Sequence, residues 1–130
     1  MPDFSKLLSF SATGMQAQAM RLQTVSENIA NADTPGYRRK IISFGNMLSA
    51  GEGLAGTKGI DVSLDAKAGS EIYDPGHPLA DTNGYYTGSN VNLIIELADA
   101  REAQRSYEAN LRVFDQTRKM SKSLLELLRR

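Results

Sequence analysis

Along the last third of the chain, apolar residues recur at Leu93, Leu97, Ala100, Tyr107, Leu111, Phe114, Leu125 and Leu128, with polar lapses at Gln104, Arg118 and Ser121. Steps of three and four place them on one face of a helix. No Gly or Pro falls between residues 92 and 128, so the pattern predicts one unbroken element. Its end charges agree: Glu96, Asp99 and Glu102 come early, and Arg118, Lys119, Lys122, Arg129 and Arg130 come late, both sets opposing the macrodipole. Asn90 or Asn92 can cap the start through its side-chain oxygen. Glu108 with Arg112, Asp115 with Lys119 and Glu126 with Arg130 add pairs four apart, each contributing about 0.3 kcal/mol. Such a helix is roughly 55 Å long, whereas a compact chain of this length has a radius of gyration of about 14 Å. Its apolar face therefore requires a second helix, neighbouring molecules, or both.

A second helical pattern runs from residue 4 to residue 30, where Leu8, Met15, Leu22 and Ile29 repeat every seven positions with Ala12, Ala19 and Ser26 between them. This predicts a coiled-coil-like seam with small residues beside it; an ordinary amphipathic core helix has the same periodicity. Gly14 costs about 1 kcal/mol relative to Ala, which suits a close crossing. The helix is expected to stop near Asn31, because Pro35 disfavours a helical Thr34 and Gly36 supplies the positive φ of a type II turn. Arg38, Arg39 and Lys40 follow without a supporting basic cluster and read as a solvated loop.

Residues 41–48 fit either a strand or a brief helix, and the Gly- and Ala-rich residues 49–59 read as a mobile loop. Ile60, Val62 and Leu64 alternate with Asp61, Ser63 and Asp65, predicting a half-buried strand. A second extended piece covers residues 70–73. The prolines and glycines between Tyr73 and Tyr86 predict turns, with Asn83-Gly84 favouring a tight hairpin and Tyr85-Tyr86 opening a short strand. The expected fold is mainly α: two long terminal helices in an antiparallel, coiled-coil-like hairpin with a small loop and β insert between them. The corresponding stretches are 1–33, 34–89 and 90–130.

Charge and chemistry narrow the function. Lys+Arg and Asp+Glu both number 15 in 130 residues, so broad attraction to nucleic acid or anionic membranes is not expected. The absence of Cys removes disulfides and thiolate chemistry. Apolar runs such as Leu93-Ile94-Ile95 fall far short of the roughly 18 residues a membrane span needs, and the N-terminus lacks the features of a cleavable signal. His77 is the sole histidine, flanked by Asp74 and Asp81. Pro75 and Pro78 make this segment a turn rather than one face of a helix, and turn hydrogen bonds account for the aspartates. No P-loop, dinucleotide fingerprint or nucleophile elbow is present. No catalytic residue, cofactor or metal site is therefore expected.

An interaction protein remains, with Leu8, Met15, Leu22 and Ile29 packing against the Tyr107, Leu111 and Phe114 side of the C-terminal helix. Leu97 belongs to the same packing set, and Val113, Met120 and Leu127 are left to face adjacent subunits. Head-to-tail contacts that do not close generate helical tubes. The alternatives from other classes are an enzyme centred on His77 and a closed cytosolic coiled-coil adaptor.

The segment Ser26-Glu27-Asn28-Ile29-Ala30-Asn31-Ala32-Asp33-Thr34-Pro35-Gly36-Tyr37-Arg38 resembles the N-terminal signature of bacterial flagellar rod and hook proteins. Arg105-Ser106-Tyr107-Glu108-Ala109-Asn110-Leu111 resembles their shared C-terminal motif. Tyr73-Asp74-Pro75-Gly76-His77-Pro78-Leu79-Ala80-Asp81, with Gly84-Tyr85 and Asn90-Val91-Asn92, is similar to the pattern of a proximal-rod branch of that family. Asn92 departs from the acidic residue the family often carries there, and residues 51–67 carry no signature. The resemblance implies a structural subunit of the basal-body rod, the shaft that crosses the periplasm and transmits motor torque to the hook. It implies an inner tube of terminal helices, a small β part outside it, and termini that are ordered on assembly. The implied partners are copies of the chain, other rod proteins, the adapter joining MS ring to rod, and the type III apparatus that exports members without a cleaved signal peptide. The most proximal rod protein is the alternative within the family; the Pro-Gly-His-Pro turn argues against it.

Overall fold

The computed structural model of the chain describes residues 3–44 and 60–130. Two helices dominate it: α1, Phe4–Ala30, and α2, Leu93–Leu128. At 1.5 Å per residue they are about 40 and 54 Å long. Each begins at a side-chain cap. The Asp3 carboxylate accepts from the Lys6 N–H at 3.3 Å, and the Asn92 side chain accepts from the Ile94 N–H at 3.0 Å, supplying acceptors to otherwise orphaned donors.

The chain leaves α1 through Asn31, whose side-chain amide donates to the Glu27 carbonyl at 2.8 Å. Tyr37 N–H then donates to the Thr34 carbonyl at 3.2 Å across Pro35 and Gly36, with Gly36 at φ 72°. That is the predicted turn, made possible because Gly tolerates a positive φ. The stretch left open between strand and helix becomes β1, Lys40–Phe44, which pairs antiparallel with β2, Ile60–Leu64. Residues 45–48 and the predicted mobile loop at 49–59 lie outside the described residues. β2 is more exposed than its alternation suggests, with Ile60 alone half-buried, because β1 is the strand that packs on α1.

A second ribbon pairs β3, Glu71–Tyr73, antiparallel with β4, Tyr85–Thr87. Asn83-Gly84 does not form a two-residue hairpin loop here. It ends a longer connection in which Gly84 N–H donates to the Asp81 carbonyl at 3.0 Å and the Asp81 carboxylate accepts from Asn83 and Tyr85. Gly36 N–H donates to Thr87 at 3.1 Å, tying the turn after α1 to β4.

The helices are antiparallel: Gly14 lies against Asn110 while Asn28 meets Glu96. The seam between them is made of small and polar residues. Buried apolar side chains among the described residues are Ala17, Val25 and Ala103, joined by buried Ser11, Asn28, Glu96 and Thr117. A Cβ added at Gly14 would lie 2.8 Å from Asn110 Nδ2, so the Asn110 side chain fills the space over Gly14. Interaxial distance follows the side chains at the contact, and here the larger apolar groups stand beside the seam or face outward.

Candidate functional site

One polar cluster ties both helices and the insert together. Asn28, 1 % exposed in the last turn of α1, uses its whole amide. Nδ2 donates to the Lys40 carbonyl at 2.9 Å and to Glu96 Oε2 at 3.2 Å, while Oδ1 accepts from Tyr37 Oη and Lys40 N–H, each at 2.9 Å. Two donors and two lone pairs are all satisfied, which makes a buried amide favourable rather than costly. Glu96 is fully buried in the first turn of α2. Its other oxygen receives Arg39 Nε, and Arg39 Nη2 reaches Asp99 Oδ2 at 2.8 Å. Arg21 approaches the remaining Asp99 oxygen at 3.4 Å.

The backbone around Arg39 is equally committed. Its N–H donates to Asn90 Oδ1 at 2.6 Å, its carbonyl accepts from Asp65 at 2.8 Å, and Asn90 Nδ2 donates to the Lys67 carbonyl at 2.8 Å. The cluster thus joins the end of α1, the start of α2, β1 and the segment before β3. Burial works to lower the Arg39 pKa, but its hydrogen bond to Glu96 and the charges of Glu96, Asp99 and Asp65 outweigh this and hold it above its usual value. Burial pushes the Tyr37 hydroxyl upward, with Glu27 and Glu96 adding to the rise against Lys40. Lys40 Nζ also pairs with Glu27 at 2.6 Å. Arg39 and Lys40 are therefore engaged, and only Arg38 of the basic triplet is exposed as a solvated loop residue.

The residues singled out from the sequence fall in three places. Asn28, Asn31, Pro35, Gly36 and Tyr37 build the turn and cluster just described. Pro75, Gly76, His77 and Pro78 lie between β3 and β4, where Asp74 Oδ1 accepts from Gly76 N–H at 3.1 Å and His77 Nδ1 accepts from Leu79 N–H at 3.1 Å. The His77 ring stacks on Tyr86 at 4.0 Å. The packing positions flank the seam: Leu8, Met15, Leu22 and Phe114 are half-buried, while Ile29, Leu97, Tyr107, Leu111, Val113, Met120 and Leu127 are exposed. Asn110 stands half-buried opposite Gly14.

Glu96, Arg39 and Asp99 were not among the predicted site residues. A signal was present, since Glu96 interrupts the apolar run Leu93-Ile94-Ile95-Glu96-Leu97 and stands seven residues before Ala103. On the outer face of α2, Ile94, Leu97, Ala98, Arg101, Glu102 and Arg105 form an exposed patch. No helix among the described residues is long and apolar enough to cross a membrane.

Fold and site define an interaction protein built on a helical hairpin, with a polar knot at one end and apolar side chains turned outward. Residues 8–38 match the family of flagella basal body rod proteins, and residues 82–127 match the C-terminal family of flagellar basal body rod FlgEFG proteins. The flagellar basal-body rod protein FlgC of Agrobacterium fabrum is 45% identical over 136 aligned residues, covering 99% of this chain and 98% of the relative. FlgC of Bacillus subtilis is 34% identical, with 92% and 95% covered, and FlgC of Salmonella typhimurium is 32% identical, with 93% and 95% covered. The chain belongs to the flagellar basal-body rod protein family, in the group whose members carry the name FlgC. Membership implies assembly with other flagellar basal-body rod proteins.

Proposed function

We propose that this chain is a structural subunit of the flagellar basal-body rod, in its proximal part, and that its terminal helices polymerise into a torque-transmitting shaft. The observation that carries this reading is the inversion of the hairpin: small and polar residues fill the seam while Leu97, Leu111, Met120, Leu125, Leu127 and Leu128 are exposed. Covering apolar surface gains about 25 cal/mol per Å², and a row of such side chains on long helices gains most when several molecules share it. Close packing between neighbouring helices resists sliding, which is what a shaft under torque requires.

In this reading residues 1–33 and 90–130 form the inner helical wall and residues 34–89 sit outside it. Leu8, Met15, Leu22 and Ile29 work with Leu97, Tyr107, Leu111 and Phe114 within the wall, while Met120 and Leu127 meet adjacent subunits. The Asn28 and Glu96 cluster sets the angle at which the insert leaves the wall. Partners are copies of the chain, other rod proteins, the adapter at the MS ring, and the type III apparatus that delivers the chain to the periplasmic rod without a cleaved signal peptide. The relatives carry the name of a flagellar basal-body rod protein, and no catalytic step is assigned.

The test is incorporation into purified basal bodies. Met120→Ala with Leu127→Ala should abolish incorporation and swimming while leaving the helical circular dichroism of the isolated chain unchanged. Normal incorporation of that variant overturns the allocation of faces. Absence of the wild-type chain from basal bodies overturns the function. His77→Ala should leave swimming intact, because His77 packs on Tyr86 in a turn; lost motility with normal incorporation favours chemistry at His77.

A further inference from the structure

The β3–β4 ribbon is firm within and lightly held from outside. Inside it, Asp74 N–H donates to the Gly84 carbonyl at 2.9 Å, Asp81 N–H to Tyr85 at 2.8 Å and Gly88 N–H to Ser70 at 2.8 Å. The Tyr73 and Tyr85 rings lie 5.0 Å apart, His77 stacks on Tyr86, and Pro75 and Pro78 fix φ in the connection. Outside it there is little to lean on. All three residues of β3 are exposed and only Tyr86 of β4 is half-buried. Among the described residues, the ribbon has no substantial packing against either helix or against β1–β2.

Hydrogen bonds at its base take the place of packing, and most pass through one side chain. Asn90 Oδ1 accepts from Arg39 N–H at 2.6 Å, and Asn90 Nδ2 donates to the Lys67 carbonyl at 2.8 Å. Its own N–H donates to the Tyr37 carbonyl at 3.3 Å. Asn90 thus clasps the leg that enters the ribbon and the leg that leaves it to the loop after α1. The Gly36 bond to the Thr87 carbonyl, at 3.1 Å, is a second tie to that loop. Where the legs meet the ribbon they touch backbone to backbone: a Cβ on Gly69 would run into the Gly88 carbonyl, and one on Gly88 would lie 2.8 Å from Ile72 Cδ1. Segments with few buried contacts and solvent-facing hydrogen bonds open most easily, and short legs of small residues absorb the turn.

We propose that β3–β4 and its connection swing as one arm about residues 66–69 and 89–90, with Asn90 the positioning residue that clasps the arm in the described orientation. The arm carries Tyr73 and Leu79, 64% and 65% exposed, so the clasp sets where these side chains are presented. Neither hinge nor clasp needs a second molecule, so this inference stands apart from the rod reading.

Amide-resolved hydrogen exchange on the full chain tests it. Asn90→Ala should speed exchange at Arg39 and Gly36 about fivefold, the size of one net hydrogen bond, and leave Asp74, Asp81, Gly88 and both helices unchanged. Asn90→Asp keeps the acceptor for Arg39 but loses the donor to Lys67; Gly36 should again speed up while Arg39 stays protected. Because the chain has no Cys, spin labels on Leu79→Cys and Arg101→Cys can follow the arm against α2. One narrow distance distribution should broaden when Asn90→Ala is added. Unchanged Gly36 exchange in both variants, or an unbroadened distribution, overturns the clasp. Faster exchange at Asp74, Asp81 and Gly88 along with Gly36 means that the ribbon melts rather than swings, and faster exchange in the helices makes Asn90 a general fold contact; either overturns the arm.

Discussion

Truncating Glu96 to alanine removes the acceptor on which the polar cluster converges. Glu96 is 0% exposed and receives hydrogen bonds from Arg39 and Asn28. Its loss strands one guanidinium nitrogen and one amide hydrogen in a site with little water. Removing one partner of a fully buried ion pair costs about 3–5 kcal/mol. The Arg39 side chain is 20% exposed and keeps Asp99 at 2.8 Å, so the expected cost lies below that range, at about 2–3 kcal/mol. At about 4 °C per kcal/mol this lowers Tm by roughly 10 °C, read by thermal and urea unfolding of the full chain under far-UV circular dichroism.

A cycle with Arg39→Ala should return a coupling energy above about 1 kcal/mol, because the two groups share one contact. Replacing both, with Arg39→Met and Glu96→Leu, should cost less than Glu96→Ala alone, since no charge is left without its partner. A loss under about 0.5 kcal/mol for Glu96→Ala, the level of an ordinary surface substitution, refutes the reasoning.

Gly14→Val should destabilise by about 2 kcal/mol through overpacking against Asn110. In an Asn110→Ala background, Gly14→Ala should instead stabilise by up to about 1 kcal/mol through helix propensity; equal effects in both backgrounds deny the close crossing. Asn92→Ala should cost about 1 kcal/mol by removing the α2 cap, seen as a lowered urea midpoint. The Lys40 hydrogen bond and charge hold the Glu27 pKa below its ordinary 4.5, and the same contact holds Lys40 above its ordinary 10.5. The pair's contribution is complete between those two values; it fades in acid as Glu27 protonates and in alkali as Lys40 deprotonates. Lys40→Met should therefore shift Tm by a constant amount near neutral pH, a difference that vanishes in acid.

The extents of both helices were legible in the residues because they rest on short-range physics. Three- and four-residue spacing, the missing Gly and Pro between residues 92 and 128, and the Asn92 cap act within one or two turns. The Pro35-Gly36 turn belongs to the same class, since pyrrolidine geometry and a positive φ are decided locally. β2, β3 and β4 were legible in position, whereas the stretch that holds β1 fitted strand or helix equally until its pairing with β2 decided it; the exposure of β2 was not legible, because it depends on which face of the ribbon meets α1.

Which side of each helix lies innermost was a tertiary decision. Periodicity groups Leu93, Leu97 and Leu111 on one stripe, yet Glu96, Ala103 and Thr117 are the residues buried between the helices. Contact as close as Gly14 to Asn110 selects small side chains and displaces large ones sideways. Arg39 gave the same lesson. In the sequence it belongs to a basic loop, and it becomes half-buried because the chain returns Glu96, 57 positions later, to its side. Local pattern names the conformation of a segment; the partner brought across by the fold decides which side chains of that segment lose their water.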